Sequence, residues 1–205
     1  MYYYFFYNFW NYLHKKNILK TNNNKININS LKLIHSIVSL GITSIYIYNP
    51  QSWLSITYLK DIIFHFSNSY FLWDTYNLLE RDKKEYFLIY HHLATIMLLF
   101  VFYMNNNCNS LIKLYNIGEL SNISMYISYH LIKSEYPYKQ IIVSNIFQFI
   151  SYTYCRVYLF SIMTINYFYD YHLLISLSLL VVYFLGIFWW YCLTKNLYYD
   201  IKYLL

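Results

Sequence analysis

Six apolar runs, at residues 31–48, 62–79, 86–104, 111–132, 140–163 and 172–194, follow one another along a chain of 205 residues. Each is close to the roughly 20 residues that a helix needs to cross a hydrocarbon core of about 30 Å. The run 62–79 is more polar than the rest, carrying His65, Asn68, Asp74 and Asn77. It is counted as a span because omitting it puts the next two basic loops on inconsistent sides. The predicted fold class is all-α, a polytopic transmembrane helix bundle of about six spans. Only 12% of the residues are charged and 59% are apolar; a soluble domain carries about 25% charge, so the bulk of this chain is built for a lipid solvent.

Orientation follows from the basic residues between the runs. Lys15, Lys16, Lys20, Lys25 and Lys32 precede the first run, and Lys60 alone follows it. Arg81, Lys83 and Lys84 come next, then Lys113 alone, then Lys133 with Lys139, then none, and finally Lys195 and Lys202. Rich and poor segments alternate, which predicts six spans with both the N- and C-termini cytoplasmic. The net charge of +6 is accounted for by these blocks, and no nucleic acid is expected as a partner. Cys108, Cys155 and Cys192 are odd in number and lack a CxxC, so neither a disulfide framework nor a metal site is predicted. The 29 Tyr and the Asn tracts fit a strongly AT-biased coding sequence and carry little functional weight.

Three segments are expected. Residues 1–30 comprise an aromatic N-terminal stretch and a polar Asn/Lys linker at 21–30. The first thirteen residues are too short to span and no small-residue cleavage site follows them, so they read as an interfacial aromatic anchor or as a degenerate extra helix. Residues 31–195 form the transmembrane domain, and 196–205 a short cytoplasmic tail. No internal repeat, Gly-rich phosphate loop or GxSxG elbow is present.

Ionisable groups inside a span are costly to insert and generally face a protein interior or cavity. Here they are Asp74, His91, His92, Glu119, His130 and Arg156. At about 1.5 Å per residue, Asp74 and the His91–His92 pair fall at similar depths in neighbouring antiparallel spans. With His130 near the same end of the fourth span, they can converge on a cytoplasm-facing pocket. Glu119, Asn122, Tyr126 and His130 recur at steps of three and four, as do Asn145, Gln148, Tyr152 and Arg156, so each set is one helical stripe turned from lipid. Glu119 and Arg156 come out at similar depths, which permits a buried ion pair, whose blander role would be to lock two helices. The blander reading of the histidines is hydrogen bonding across helix interfaces. Adjacent histidines point about 100° apart on a helix, and no further His cluster stands at ligand spacing, so no metal is expected.

The run Tyr90-His91-His92-Leu93-Ala94-Thr95 resembles the HHxxT signature of the TLC domain family of membrane proteins, which includes the ceramide synthases. Tyr70-Phe71-Leu72-Trp73-Asp74 resembles the family's aromatic-Asp segment, and Leu33 to Val38 its first helix. Gly118-Glu119-Leu120-Ser121-Asn122, the Phe147 to Arg156 segment and Phe188-Trp189-Trp190-Tyr191 follow in family order, over about residues 31 to 195. The synthase branch carries a second motif, an HD pair with a further Asp three residues on. Counting from His91 puts Gly118, Glu119 and Asn122 there. The resemblance is therefore closer to the non-synthase members, with their ExS motif.

That resemblance implies a multi-pass protein of membrane lipid homeostasis, resident in the endoplasmic reticulum, that binds, senses or moves a lipid. Membrane lipids are the expected partners, and other membrane proteins are admitted. The lipid pocket or polar interior would be formed by Glu119, Asn122, His130, Gln148, Tyr152 and Arg156. The alternative is an acyl-CoA-dependent N-acyltransferase acting on sphingoid bases. In it acyl-CoA is co-substrate, no cofactor is held, and His91, His92 and Asp74 are catalytic, with an imidazole as base and the carboxylate orienting it. A third reading is a non-catalytic receptor or structural partner, which predicts a bundle centre filled by side chains. An open pocket at His91 favours the first two.

Overall fold

A segment placed in lipid must satisfy its backbone polar groups internally, and the chain does so by folding as helix throughout. The computed structural model describes residues 2–16, 24–48, 53–81, 85–105, 109–167 and 173–202. In order these form α1 (Tyr2–Lys16), α2 (Asn24–Tyr48), α3 (Trp53–Leu79), α4 (Tyr86–Met104) and α5 (Asn109–Lys133). Then α6 (Tyr138–Tyr152) runs through a π-helical segment, Thr153–Leu159, into α7 (Phe160–Tyr167), and α8 (Leu173–Lys202) closes the chain. Each expected span is helical among the described residues, and no strand occurs among them. Three helices, Lys25–Tyr48, Tyr86–Met104 and Ile175–Lys202, are long and apolar enough to cross a membrane. Helices α3 and α5, at 27 and 25 residues, also have the length to cross.

The polar side chains sit inside. Thr43, Asp74, Ser121 and Ser69 are fully buried, while Val143, Phe147, Ile150, Tyr154 and Tyr158 form an exposed apolar stripe along α6 and the π segment. This inversion is what a lipid-facing surface requires, since the bilayer rewards outward apolar groups and leaves polar ones to pair within the bundle. Between α5 and α6 the pairing is made by small residues at close range: Ser124 with Ser151 and Ser128 with Ser144, each at 2.6 Å between hydroxyl oxygens. Small side chains permit the approach and their hydroxyls hold it.

The segments flanking the expected spans are helical where they are described. Helix α2 begins at Asn24, inside the stretch 21–30 read as a linker. Asn27 donates to the His14 carbonyl at 3.1 Å and Asn29 to the Tyr126 carbonyl at 2.9 Å, so these amides are buried as interhelical ties. The N-terminal aromatic stretch is the 15-residue helix α1 and packs on α3. Its Trp10 is wholly buried against Phe66, Tyr70, Trp73 and His35, with ring centroids between 5.1 and 6.4 Å, while Tyr4 and Phe5 face outward. Residues 196–202 continue α8, where the Asp200 carboxylate accepts from Asn145 at 2.8 Å and pins the helix end to α6.

Candidate functional site

The polar interior is organised around two carboxylates, on α3 and α5, each reached by side chains of α2. Asp74 on α3 is fully buried and takes a hydrogen bond from the Lys32 ammonium of α2 at 2.8 Å. The same oxygen lies 3.6 Å from His92 Nε2 on α4, and His92 Nδ1 lies 3.3 Å from the Thr75 hydroxyl. The second carboxylate, Glu119 on α5, accepts from the Ser36 hydroxyl at 2.5 Å and lies 3.8 Å from His35 Nδ1. His35 stacks on Tyr70 with centroids 3.7 Å apart, and its Nε2 is 3.2 Å from the Ser39 hydroxyl. Tyr115 donates to Ser67 at 2.8 Å and completes a buried network reaching from Glu119 into the bundle.

Arg156 pairs with neither acid. It lies in the π-helical segment and is buried, as is Tyr152, its predecessor by four. Such π turns occur often at functional sites. Its Nε donates to the Ser121 hydroxyl at 2.9 Å and its Nη2 to the Gly118 carbonyl at 3.2 Å, with Asn122 Oδ1 at 3.4 Å. The guanidinium lies over Gly118: a Cβ there would be 3.2 Å from Nη2 and 3.4 Å from Cζ. Among the described residues no carboxylate oxygen lies within ion-pair distance of it, so the Glu119–Arg156 pair that equal depth permits is not formed. Depth says nothing of rotation: Glu119 turns to α2 and Arg156 to the α5 backbone.

A cavity of about 560 Å³ opens over these groups, within the roughly 300–1,000 Å³ typical of small-molecule sites. Exposed Glu85, Tyr86, Phe87 and Asn196 edge its mouth, and buried Tyr70, His92, Glu119 and Tyr152 form its floor. His91, Asn122 and Lys32 also line it. A second, narrower space of about 40 Å³ adjoins it, sharing Phe71, His91 and Glu119, and is walled by Arg156, Gly118 and apolar side chains of α4, α5, α7 and α8. His91 Nδ1 and Asp74 Oδ1 are buried with no hydrogen-bond partner among the described residues, a costly state in a dry interior.

The structure brings together His91, His92, Asp74, Glu119, Asn122, Tyr152 and Arg156. Two predicted residues stay outside. His130 lies on the same face of α5 as Glu119 but about 16 Å further along the axis, and lines neither cavity. Gln148 is buried but also lines neither. The sequence reading missed Lys32, His35 and Ser36. Lys32 was counted as a topological charge, although Lys32, Ser36, Ser39 and Thr43 recur at helical steps and mark an inward stripe on α2. Among the described residues no cluster of three or more metal-ligating side chains occurs.

The family model of the TLC domain matches residues 25–198. No curated protein and no solved structure matches the chain.

Proposed function

Because this chain belongs to the TLC domain family over residues 25–198, and is on that account a membrane protein of lipid-related type, we propose that it binds and handles a membrane lipid in the cavity above Glu119. The observation that carries the proposal is the cavity itself: apolar and aromatic walls with a few converging polar groups on the floor, the composition expected of a small-molecule site. A purely structural bundle has no need of such a space. Six spans with cytoplasmic ends and residence in the endoplasmic reticulum belong to the same proposal, supported by the alternation of basic loops and by family.

We assign the chain to the non-synthase branch. Gly118 occupies the position of the missing histidine, and the Arg156 guanidinium fills the space a side chain would need there. Acyl transfer is the second reading, favoured by one observation: His91 carries an unpartnered Nδ1 at the cavity and His92 lies beside Asp74. In that reaction an amine nitrogen would attack a thioester carbonyl and the C–N bond form as C–S breaks. The imidazole would take the amine proton and return it to the leaving thiolate.

Lipid profiles of cells expressing the wild-type chain and the His91→Ala, His92→Ala double variant at equal membrane abundance separate the readings. A shifted phospholipid profile with unchanged ceramides supports lipid handling. An N-acylated sphingoid base that rises with the wild type and vanishes with the variant promotes acyl transfer instead. No lipid change in either would sink both.

A further inference from the structure

The charges around the cavity are unequally paired. Lys32 and Asp74 neutralise one another, as do Arg81 and Glu85 at the mouth, each at 2.8 Å. Glu119 is different: it is 3% exposed, lines the floor, and among the described residues no Lys or Arg nitrogen lies within ion-pair distance of it. Its one basic neighbour within 4 Å among these residues is His35, at 3.8 Å, so a cation brought to the cavity floor would find a carboxylate that no lysine or arginine has taken.

The walls indicate which kind of cation. Every lining helix but α2 presents a large aromatic ring: Tyr70 and Phe71 from α3, Tyr126 from α5, Tyr152 from α6 and Trp189 from α8, with the α4 rings at the mouth. Several are held in place. Tyr70 stacks on His35, Tyr152 donates to the Gly186 carbonyl at 3.2 Å, and Trp189 meets His91 edge-on at 5.2 Å. A primary ammonium has three N–H donors to satisfy. Glu119 already accepts from Ser36, and apart from Asn122 beside it and Asn196 at the mouth the lining toward α8 is Tyr126, Tyr152, Trp189, Met125, Cys192 and Leu193. A cation without N–H groups suits that lining better, and rings around an acid are how quaternary ammonium groups are recognised.

Lys32 supplies the other half. Asp74 uses one of its three donors, and Lys32 also lines the cavity. Lys32 and Ser36, the residue that fixes Glu119, are one turn apart on α2, about 6 Å along the axis. That is the scale of a head group whose phosphate and ammonium are two carbons apart. We propose that this cavity is a phosphocholine site, with the quaternary ammonium caged over Glu119 by the aromatic floor and the phosphate turned to Lys32, and that its occupant is a choline phospholipid of the bilayer. This assignment rests on the lipid-binding reading above and specifies its head group.

The test is photolabelling of the full-length protein in nanodiscs doped with phosphatidylcholine, phosphatidylethanolamine or phosphatidylglycerol carrying the same diazirine-tailed chains, read by mass spectrometry of α4 and α8 peptides. The choline lipid is expected to label them on the order of tenfold more than the ethanolamine lipid. Glu119→Gln, which keeps an acceptor for Ser36, and Trp189→Leu, which lies nearer the mouth and tests the cage if the first fails to fold, should each erase most of that preference. Equal labelling by choline and ethanolamine lipids overturns the head-group assignment and leaves lipid binding standing. Absence of cavity labelling by every lipid overturns both. Soluble phosphocholine at the lipid's concentration should not displace the label; displacement would make the ligand a water-soluble ester and overturn the lipid assignment.

Discussion

Removing the Lys32 ammonium isolates one electrostatic contact at the centre of this bundle. Asp74 is fully buried, the Lys32 side chain is 14% exposed, and the two meet at 2.8 Å. Truncating one member of a buried pair leaves the other unpaired and costs about 3–5 kcal/mol. In Lys32→Met the remaining basic neighbour of Asp74 is His92, at 3.6 Å, so the expected cost is at the low end, about 3 kcal/mol. Asp74→Asn should cost a similar amount, because it strands the lysine. The double variant removes both charges and should be far less damaged than the sum, with a coupling of about 2 kcal/mol or more. Reversible unfolding of the full chain in bicelles, with all four species measured, gives the cycle. A Lys32→Met cost under about 1 kcal/mol, or strictly additive singles, would refute the view that Asp74 depends on Lys32.

Other perturbations test separate parts of the structure. Trp10→Ala should lower stability by about 3–5 kcal/mol, because the ring is wholly enclosed by α2 and α3; an unchanged thermal midpoint would mean that α1 does not pack on them. Gly118→Ala pushes a methyl to 3.2 Å from the Arg156 guanidinium and should cost about 1–3 kcal/mol, whereas Gly186→Ala meets only the Tyr152 hydroxyl at 4.0 Å and should be neutral or stabilising by up to about 1 kcal/mol. Equal midpoint shifts for the two glycines would contradict the placement of Arg156. Glu85→Gln breaks an exposed pair, with side chains 33% and 54% accessible, and should change stability by less than about 1 kcal/mol in the same assay.

Much of this protein can be read without coordinates. A run of some 20 apolar residues has few options other than a helix in lipid, so the helix positions, the membrane class and the family follow from pattern and motif. The inward sense of Glu119, Asn122, Tyr152 and Arg156 follows too, since a polar stripe at steps of three and four has only the bundle interior to face. The nearness of Asp74 to His92 was legible from equal depth on consecutive antiparallel helices. Partner choice was not. Depth along an axis comes from counting residues, but contact also needs each helix's rotation and the spacing of its neighbours. Arg156 sits in a π-helical segment that no side-chain pattern announces, and it turns to the α5 backbone and not to Glu119. Lys32 likewise reads as a flanking charge until the fold lays α2 against α3 and turns it onto Asp74. The polar stripes of the later helices therefore determined many of the residues that had to be inside; that Lys32, His35 and Ser36 join them, which of them touch, and the space they leave between them were decided only by packing.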